Sequence, residues 1–262
     1  MQPQSRKYWK QNGDTLQGRL RQRRNDGPSK EEMLSAWVPK SSIGVKVKNK
    51  QIFSIEEIYS AGGTILESEI SDFLLPGLQE ETLEVSSTQR MTDCGRKMQF
   101  RAIVLVGDKN GHFGIGSGKS EEVKPAIESA VKDAKRNIVC VPLGCGSWEC
   151  GCKTAHSIPI RVVGKKGSVE VTLNPAPRGL GIAANKIVKK VLTFAGVKDV
   201  WSFSRGHTET IYNNAMAVAS ALSSLNTMRF EGSWSAKLKS TAMKPEAASE
   251  AVAEGASAEA SA

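Results

Sequence analysis

Three cysteines and one histidine lie close together in the middle of the chain, in the pattern Cys145-x4-Cys150-x-Cys152-x3-His156. Thiolates and imidazoles are the ligands that hold zinc in tetrahedral structural sites. The spacing is unusual, because zinc ribbons place two residues between paired cysteines. The alternative is a glycine-rich turn in which unliganded thiols surround Trp148. The pattern therefore predicts either a structural zinc site or a group of free thiols, and no other cofactor is indicated.

Two glycine-rich segments resemble nucleotide-binding loops without matching them. The segment 114–120, GIGSGKS, has Phe113 where a P-loop needs its first glycine, and it follows a strand hairpin and not a βαβ unit. The segment 179–184, GLGIAA, mimics a dinucleotide fingerprint, but the acidic residue Asp199 begins the next predicted strand instead of ending it. Both patterns are weak indications of nucleotide binding.

The longer segment 175–184, PAPRGLGIAA, is similar to the phosphate loop of the galactokinase and homoserine kinase superfamily. Those kinases carry serines where this chain has Ile182 and Ala183, so the resemblance implies a shared fold with a non-catalytic use. Arg178 and the N-terminus of the following helix are candidates for binding an RNA phosphate instead. A small-metabolite kinase is therefore one alternative for the function of the chain.

The positive charge of the chain is concentrated in two regions. The whole chain has 36 Lys and Arg against 27 Asp and Glu, a net charge of +9. Residues 1–30 contain eight basic and two acidic residues, and residues 153–206 contain ten basic and two acidic residues. This distribution favours an anionic partner, and the odd count of five cysteines favours a reducing, cytosolic setting. The sequence has no apolar run of membrane-spanning length and no signal-peptide pattern, so no membrane contact is expected.

The stretch 90–138 predicts a compact RNA-binding module. A basic turn at 94–97, CGRK, precedes a strand at 98–106, and the Asn-Gly pair at 110–111 suits a tight hairpin before the next strand at 112–115. The glycines at 114, 116 and 118 allow the backbone to approach a partner closely. From Glu121 the apolar period becomes helical. The residues predicted to share the inward face are Val123, Ile127, Ala130, Val131, Ala134 and Ile138.

The first part of the chain is polar and then becomes helical. Residues 1–40 are rich in Gln and Arg with scattered aromatics, among them Trp37, which predicts an arm that orders on a partner; the alternative is a disordered solubilising tail. Ser54 and Glu57 form a capping box that predicts a short helix through Tyr59. A second short helix at 69–75 and a first strand at 78–85 follow.

The second half predicts the order β-β-α-β-α. Strands at 158–163 and 169–173 flank a turn at 164–167, a helix up to Ala195 ends at Gly196, and a strand covers 197–203. A last helix is predicted to be capped by Thr208. Its apolar residues are spaced four and three apart, which predicts a core seam of Ile211, Ala215, Val218, Leu222 and Leu225. From Pro245 onward the composition predicts a disordered tail.

Several motifs, in order along the chain, resemble the universal small-subunit ribosomal protein number five family. They are RAIV (101–104), VGD (106–108) and NGHFGIG (110–116) in the first half, and IP (158–159), GSV (167–169), PAPRG (175–179) and AGVKD (195–199) in the second. The segments WVP (37–39), SIEEI (54–58) and ESEI (67–70) are similar to the archaeal and eukaryotic branch, and GCGSWEC (144–150) favours archaea.

The resemblance implies an α+β fold with two domains. The first is a double-stranded-RNA-binding-like β-β-β-α module, and the second is a C-terminal domain with a left-handed crossover, against the usual rule. The expected division is a basic arm at 1–40, a short helical extension at 41–77, the RNA-binding-like domain at 78–141, a Cys/Gly-rich connector at 142–157, the C-terminal ribosomal domain at 158–230 and a disordered tail at 231–262.

The resemblance also implies a non-enzymatic structural constituent of the small ribosomal subunit, in the cytoplasm. Such a protein would bind ribosomal RNA and neighbouring ribosomal proteins, support subunit assembly and translational accuracy, and lie where mRNA enters the subunit. Arg96 and Lys97 match the family's basic turn, and Asn110, Gly114 and Gly116 match its glycine-rich edge, whereas Lys165, Lys166 and Arg205 rest on charge alone. The predicted RNA-binding residues are Arg90, Arg96, Lys97, Arg101, Asn110, Gly114, Gly116, Lys119, Lys165, Lys166, Arg178 and Arg205.

Overall fold

A computed structural model describes residues 37–152 and 154–227 of the chain. These residues form six helices and eight strands. In chain order they are α1 (Ser42–Lys48), α2 (Ile55–Ser60), α3 (Ser68–Leu74), β1 (Gln79–Thr92), β2 (Gly95–Gly107), β3 (His112–Ser120), α4 (Val123–Arg136), β4 (Ile138–Cys140), β5 (Val162–Lys166), β6 (Val169–Pro175), β7 (Ile182–Ala183), α5 (Lys186–Phe194), β8 (Val200–Arg205) and α6 (Ile211–Leu225).

The strands form two four-stranded sheets, one in each half of the described chain. The first sheet is antiparallel, with the order β1-β2-β3-β4, and the second has the order β5-β6-β8-β7. Strands β7 and β8 pair in parallel, and α5 connects them as the predicted crossover. The α+β class and the two sheet-containing halves are confirmed; the left hand of the crossover stays a prediction.

The second half of β2 is buried on both faces because a different layer covers each one. Ala102, Val104 and Val106 belong to a core shared with α4 and the short helices, whereas Ile103 and Leu105 belong to the core of the second domain. Successive residues of a strand point to opposite faces of a sheet. A continuous apolar run is therefore what a sheet with two covered faces requires. The first sheet is the layer that joins the two halves of the protein.

Helix α4 packs on β3 in backbone-to-backbone contact. A Cβ placed on any of the three alternate glycines of β3 would overlap the backbone of α4. The helix meets them with three buried alanines spaced four apart, Ala126, Ala130 and Ala134. The predicted inward face of this helix is therefore only partly right, because Val123 is exposed and Ile138 lies beyond the helix in β4.

The three short helices cover the α4 side of the first sheet. The Ser54 hydroxyl accepts a hydrogen bond from the Glu57 amide at 3.4 Å, which confirms the predicted start of α2. Trp37 was predicted to belong to the extended arm, but it is buried in this layer. Its indole nitrogen donates to Glu67 Oε2 at 2.8 Å. The folded part of the chain therefore includes residues that the sequence assigned to the arm.

Several predicted element boundaries are wrong, each for a local reason. Strand β1 runs to Thr92, far beyond the predicted 78–85, because it continues as a two-stranded ribbon with β2. The strand predicted at 158–163 begins only at Val162, since Ile158 is buried in irregular chain whose carbonyl accepts from the Gly146 amide. Strands β4 and β7 were missed because two or three residues give no readable period. The N-cap of α6 is Thr210 and not Thr208.

The predicted arm falls mainly on residues 1–36 and the predicted tail on residues 231–262, which lie outside the described residues. Their expected disorder stays a prediction. In the described ranges, no helix combines the length and the apolar character needed to cross a membrane.

Candidate nucleic-acid interface and metal cluster

The ribbon formed by β1 and β2 carries three of the predicted RNA-binding cations. Arg90 pairs with Lys97 across the two strands, and Arg96 pairs with Met91. The chain reverses at 93–94, so Arg96 and Lys97 lie on a strand and not in the turn that was predicted. Pairing of β2 with β3 stops at Phe100, and residues 91–98 are all exposed. The ribbon therefore projects beyond the sheet with its cations in solvent.

Lys97 makes one exposed ion pair, with its Nζ 2.8 Å from Glu121 Oε1. The hydrogen bond and the charge of Lys97 hold the pKa of Glu121 below its usual range. Exposed pairs of this kind contribute little to stability. Lys97 can therefore exchange this carboxylate for an RNA phosphate at little cost to the fold.

Arg101 has an internal contact that sequence reasoning missed. Its guanidinium carbon lies 4.7 Å from the centre of the Tyr212 ring on α6, a cation–π geometry. Arg101 is half-buried, whereas its cross-strand partner Lys119 is exposed. Both residues were predicted to bind RNA. Lys119 faces solvent, whereas Arg101 joins the two domains.

Gly114 and Gly116, which were predicted to form an RNA-facing edge, lie against α4. Both are buried, and the backbone of α4 occupies the space into which a ligand would have to come. The motif was correctly interpreted as a place of close approach, but the partner is a helix of the same chain.

Asn110 is exposed in the loop 108–111, which Asp108 organises. The Oδ1 atom of Asp108 accepts from the amides of Asn110 at 2.7 Å and His112 at 3.1 Å. The positive φ angles are at Lys109 (63°) and Gly111 (102°), not at Asn110. The Lys109 amide donates to the Phe194 carbonyl at the end of α5, at 3.1 Å. The loop is thereby fixed at the junction of the two domains.

Asp108 and His112 also form a mostly buried ion pair that sequence reasoning missed. Their Oδ2 and Nδ1 atoms are 2.9 Å apart, and the side chains are 7% and 12% exposed. Burial alone would lower the pKa of His112, but the hydrogen bond to Asp108 and the Cys140 sulfur raise it to about 10. Burial alone would raise the pKa of Asp108, but its hydrogen bonds with His112 lower it. The sequence signal for this pair was an Asp and a His four residues apart, on either side of an Asn-Gly turn.

Three further cations lie at one end of the second sheet. Lys165 and Lys166 end β5, and Arg205 ends β8, so the turn predicted at 164–167 is shortened to two residues. Glu170 of β6 pairs with Lys165 on one side and with Arg205 on the other. All three cations are exposed. This end of the sheet therefore carries a net positive charge.

Arg178 lies in the exposed loop 177–181, which is held by Asp199. The Oδ1 atom of Asp199 accepts from the amides of Gly179 at 3.1 Å and Gly181 at 2.8 Å. Because the chain's own carboxylate occupies these amides, they are not available to a nucleotide phosphate. The kinase alternative therefore lacks its phosphate site. Strand β7 also separates this loop from α5, so the helix N-terminus does not follow Arg178 directly.

The three cysteines and His156 come together, and their ligand atoms all lie within 4.8 Å of one another. The Sγ atoms of Cys145 and Cys152 are 3.6 Å apart, and Cys150 Sγ is 3.8 Å from His156 Nε2. A tetrahedral zinc with bonds of about 2.3 Å to sulfur separates two sulfur ligands by about 3.8 Å, whereas a disulfide requires about 2.05 Å. The four residues therefore fit a zinc ion.

The thiols of the cluster do not surround Trp148, and the pKa values of two of them differ. Trp148, around which free thiols were expected to gather, is 92% exposed. The Thr154 hydroxyl donates to Cys152 Sγ at 3.2 Å and lowers the pKa of this thiol to about 6. Burial, together with the neighbouring thiols, raises the pKa of Cys145 to about 11. Cys152 is thus more ready than Cys145 to bind a metal as a thiolate.

The ring nitrogen of His156 that faces away from the cysteines contacts Asp199, which was not predicted as a site residue. Its Nδ1 is 2.8 Å from Asp199 Oδ2, and both side chains are buried. A carboxylate behind the imidazole orients the ring and is the usual outer contact of a zinc-binding histidine. The sequence did offer one indication of its importance. Residues 153–206 contain ten basic residues and only two acidic ones, and Asp199 is one of these two.

Two family models match the chain. Residues 78–142 match ribosomal protein S5, N-terminal domain, and residues 164–234 match ribosomal protein S5, C-terminal domain. Three archaeal proteins named small ribosomal subunit protein uS5 are similar to the chain. The Aeropyrum pernix protein is 52% identical over 75% of this chain and 89% of its own length. The corresponding values are 49%, 74% and 94% for Methanoregula boonei, and 50%, 75% and 90% for Methanocaldococcus jannaschii.

Proposed function

The chain belongs to the ribosomal protein S5 family, and we propose that it is a structural constituent of the small ribosomal subunit that binds ribosomal RNA. The family membership confirms the resemblance read from the motifs, and the archaeal relatives agree with the predicted branch. A ribosomal structural role agrees with the predicted absence of enzymatic activity. It also agrees with the cytoplasmic location expected of ribosomes.

The observation that carries the RNA-binding proposal is the exposed ribbon of Arg90, Arg96 and Lys97. These cations lie on two paired strands that continue past the sheet. Long cationic side chains on such a projection reach phosphates without deforming the protein core. Phosphate contacts fix the register of a protein on RNA without reading its bases. The ribbon therefore docks the first domain on RNA by position and shape.

The second domain contributes a further group of contacts. Lys165, Lys166 and Arg205 form an exposed cationic end of the second sheet, and Arg178 projects from the loop held by Asp199. Lys119 and Asn110 complete the proposed set. Arg101, Gly114 and Gly116 are left out of it because their contacts lie inside the protein.

The proposed partners are the small-subunit RNA and the neighbouring ribosomal proteins, with the chain lying where mRNA enters the subunit. The family membership supports assembly into the subunit. The place near mRNA and the contribution to translational accuracy follow from the resemblance alone. Contact with a membrane is not part of the proposed function.

Zinc is the proposed metal of the Cys145, Cys150, Cys152 and His156 cluster. Bound zinc would link the two ends of the connector, which the Gly144–Ser157 bridge already brings together. A bound ion would have no catalytic task, because the four residues would fill its tetrahedral coordination. Its function would be to stabilise a connector that carries little apolar core of its own.

Sedimentation and RNA binding test the proposed function together. The tagged chain is expected to sediment with small subunits in a cell lysate, and the purified chain to bind structured RNA with log K falling steeply as log salt rises, by about 0.7–0.9 for each neutralised phosphate. A slope near zero would reject the RNA-binding surface. Turnover of ATP with a small alcohol would favour the kinase alternative instead.

A further inference from the structure

Asp199 contacts the metal cluster with one carboxylate oxygen and the loop 177–181 with the other. Its Oδ2 is 2.8 Å from Nδ1 of His156, whose Nε2 faces Cys150 Sγ at 3.8 Å. Its Oδ1 accepts from the amides of Gly179 and Gly181 at 3.1 and 2.8 Å. A single buried side chain therefore connects the cluster with the loop that carries Arg178.

The backbone strengthens the connection on the cluster side. The amides of Lys198 and Asp199 both donate to the His156 carbonyl, at 2.9 and 3.1 Å. Residue 199 is thereby attached to residue 156 through main chain and side chain together. A shift of the imidazole ring must then be transmitted to the Asp199 carboxylate, because a buried carboxylate that loses a partner has no water to replace it.

The loop side depends strongly on Asp199. Gly179 and Gly181 have φ angles of 92° and 77°, a region that only glycine adopts readily. A Cβ on either residue would meet nothing within 4 Å, so the space beside both positions is open. Besides Asp199, the loop is held by the Val200 amide on the Gly181 carbonyl at 3.2 Å and by a long turn bond of 3.4 Å from Leu180 to Pro177. A glycine loop loses much conformational entropy when it is ordered, so its anchor decides its order.

We propose that Asp199 is a positioning residue through which metal binding at the cluster fixes the loop 177–181 and presents Arg178 to RNA. The proposal rests on the proposed zinc site. Zinc bound to His156 Nε2 holds the imidazole in one orientation, and this orientation keeps Asp199 directed at the two glycine amides. Without zinc the ring loses one of its two fixed contacts, so the hydrogen bonds from Asp199 to the two glycine amides break more often and the loop is less ordered. The metal thus acts at a distance on an RNA contact that it does not touch.

Trypsin measures the order of this loop directly, because the bond after Arg178 lies within it. The full chain is digested under reducing conditions, once loaded with zinc and once stripped by a chelator. We expect cleavage after Arg178 to be about tenfold slower in the zinc form, as local opening controls cleavage of an ordered loop. Cleavage after Arg96 in the ribbon is the internal control and should not depend on zinc.

A substitution separates the positioning role from metal binding. Asp199→Asn keeps the size of the side chain but cannot accept hydrogen bonds on both sides at full strength. We expect this variant to bind zinc and to be cleaved quickly after Arg178 with or without the metal. Glu170→Gln, a change of another carboxylate in the same domain, should behave as the parent. If Asp199→Asn fails to fold, hydrogen exchange of the Gly179 and Gly181 amides in the parent gives the same information, and about tenfold faster exchange without zinc is expected.

The outcomes distinguish this proposal from the one it rests on. If the full chain binds no zinc, the proposed metal site is wrong and the positioning role falls with it. If zinc binds but cleavage after Arg178 and exchange of the two amides are the same in both forms, the metal site stands and the positioning role of Asp199 is wrong.

Discussion

Gly116 of β3 lies directly against Ala134 of α4, so that a Cβ on Gly116 would overlap the amide nitrogen and Cα of Ala134. Backbone cannot move aside as a flexible side chain does. Gly116→Ala is therefore expected to force α4 away from the sheet and to cost about 3 kcal/mol or more of unfolding free energy. Thermal unfolding should show a midpoint lowered by about 6–12 °C.

A matched glycine substitution controls for this prediction. Gly77 lies in an exposed turn where a Cβ would meet nothing within 4 Å. Gly77→Ala should therefore change the midpoint little. If Gly116→Ala melts like Gly77→Ala and loses only RNA affinity, the glycine contacts RNA and the packing explanation is wrong.

These glycines show what the sequence was able to predict and what it was not. Alternating glycines on a strand indicate a close approach, because their missing side chains have no other structural use. They do not say which surface approaches. Arg101 presents the same ambiguity, since a guanidinium suits an RNA phosphate and an aromatic ring of its own protein equally well. Where one residue type suits both an internal and an external partner, the sequence does not indicate which of the two it contacts.

The parts of the prediction that succeeded depend on local or chemically rare signals. Four residues of the predicted seam, Ala215, Val218, Leu222 and Leu225, are buried as their spacing predicted, whereas Ile211 at the start of the helix is half-buried. The four candidate metal ligands were found because cysteine and histidine rarely cluster without a reason. Asp199 was missed as their outer partner because 43 residues separate it from His156. Only the placement of β8 beside the connector brings the two together.

The ribbon cations should affect RNA binding without affecting stability. Arg96→Ala combined with Lys97→Ala removes two exposed side chains, so the unfolding free energy should change by no more than about 0.5 kcal/mol. RNA binding should weaken similarly for different sequences, and the slope of log K against log salt should fall by about two units at most. Filter binding over a salt series measures this slope.

The control for the ribbon is a pair of exposed lysines elsewhere. Lys46→Ala with Lys132→Ala removes the same charge from α1 and α4 and should leave the salt slope unchanged. Equal losses in both double variants would mean that net charge, and not the ribbon, determines RNA affinity. A lowered melting temperature with unchanged binding would assign the ribbon cations to the fold.

Lys135 is expected to hold the helical extension on the first domain. Its Nζ lies 2.9 Å from Asp72 Oδ1 and 3.1 Å from Glu80 Oε1, and its side chain is 11% exposed. Lys135→Met leaves both carboxylates without their cation. The cost should be about 1–2 kcal/mol, between that of an exposed pair and that of a fully buried one. Denaturant unfolding measures it, and Lys132→Met on the exposed side of the same helix should stay within about 0.5 kcal/mol of the parent.

Metal analysis tests the cluster. Protein purified without chelator should contain close to one zinc per chain, and Cys150→Ser should lose it because one ligand is removed. Cys94→Ser changes an exposed cysteine at the ribbon turn and should retain the metal. Freshly prepared parent protein without zinc would leave the three cysteines as free thiols beside His156.

The His112–Asp108 pair predicts a dependence of stability on pH in the alkaline range. The pKa of His112 is raised to about 10 in the folded protein, against about 6.5 for an unperturbed histidine. The folded state therefore binds more protons than the unfolded state between these two values, so stability falls as pH rises through this window. The contribution is complete below about pH 6.5 and is lost above about pH 10. The lowered pKa of Asp108 has its effect in the acidic range, where stability is lost as the carboxylate becomes protonated.

A comparison of variants isolates this pair from the other groups that titrate in the same range. His112→Gln keeps a hydrogen-bonding side chain beside Asp108 but cannot carry the charge, so its unfolding free energy should be lower than that of the parent at pH 6.5 and should approach it towards pH 10. His207→Gln changes an exposed histidine in the turn before α6 and should follow the parent at every pH. Chemical unfolding at several pH values between 6 and 10 gives both curves. Parallel curves for the parent and His112→Gln would show that His112 is neutral in the folded protein, and that the loop 108–111 is held by the Asp108 hydrogen bonds to backbone amides alone.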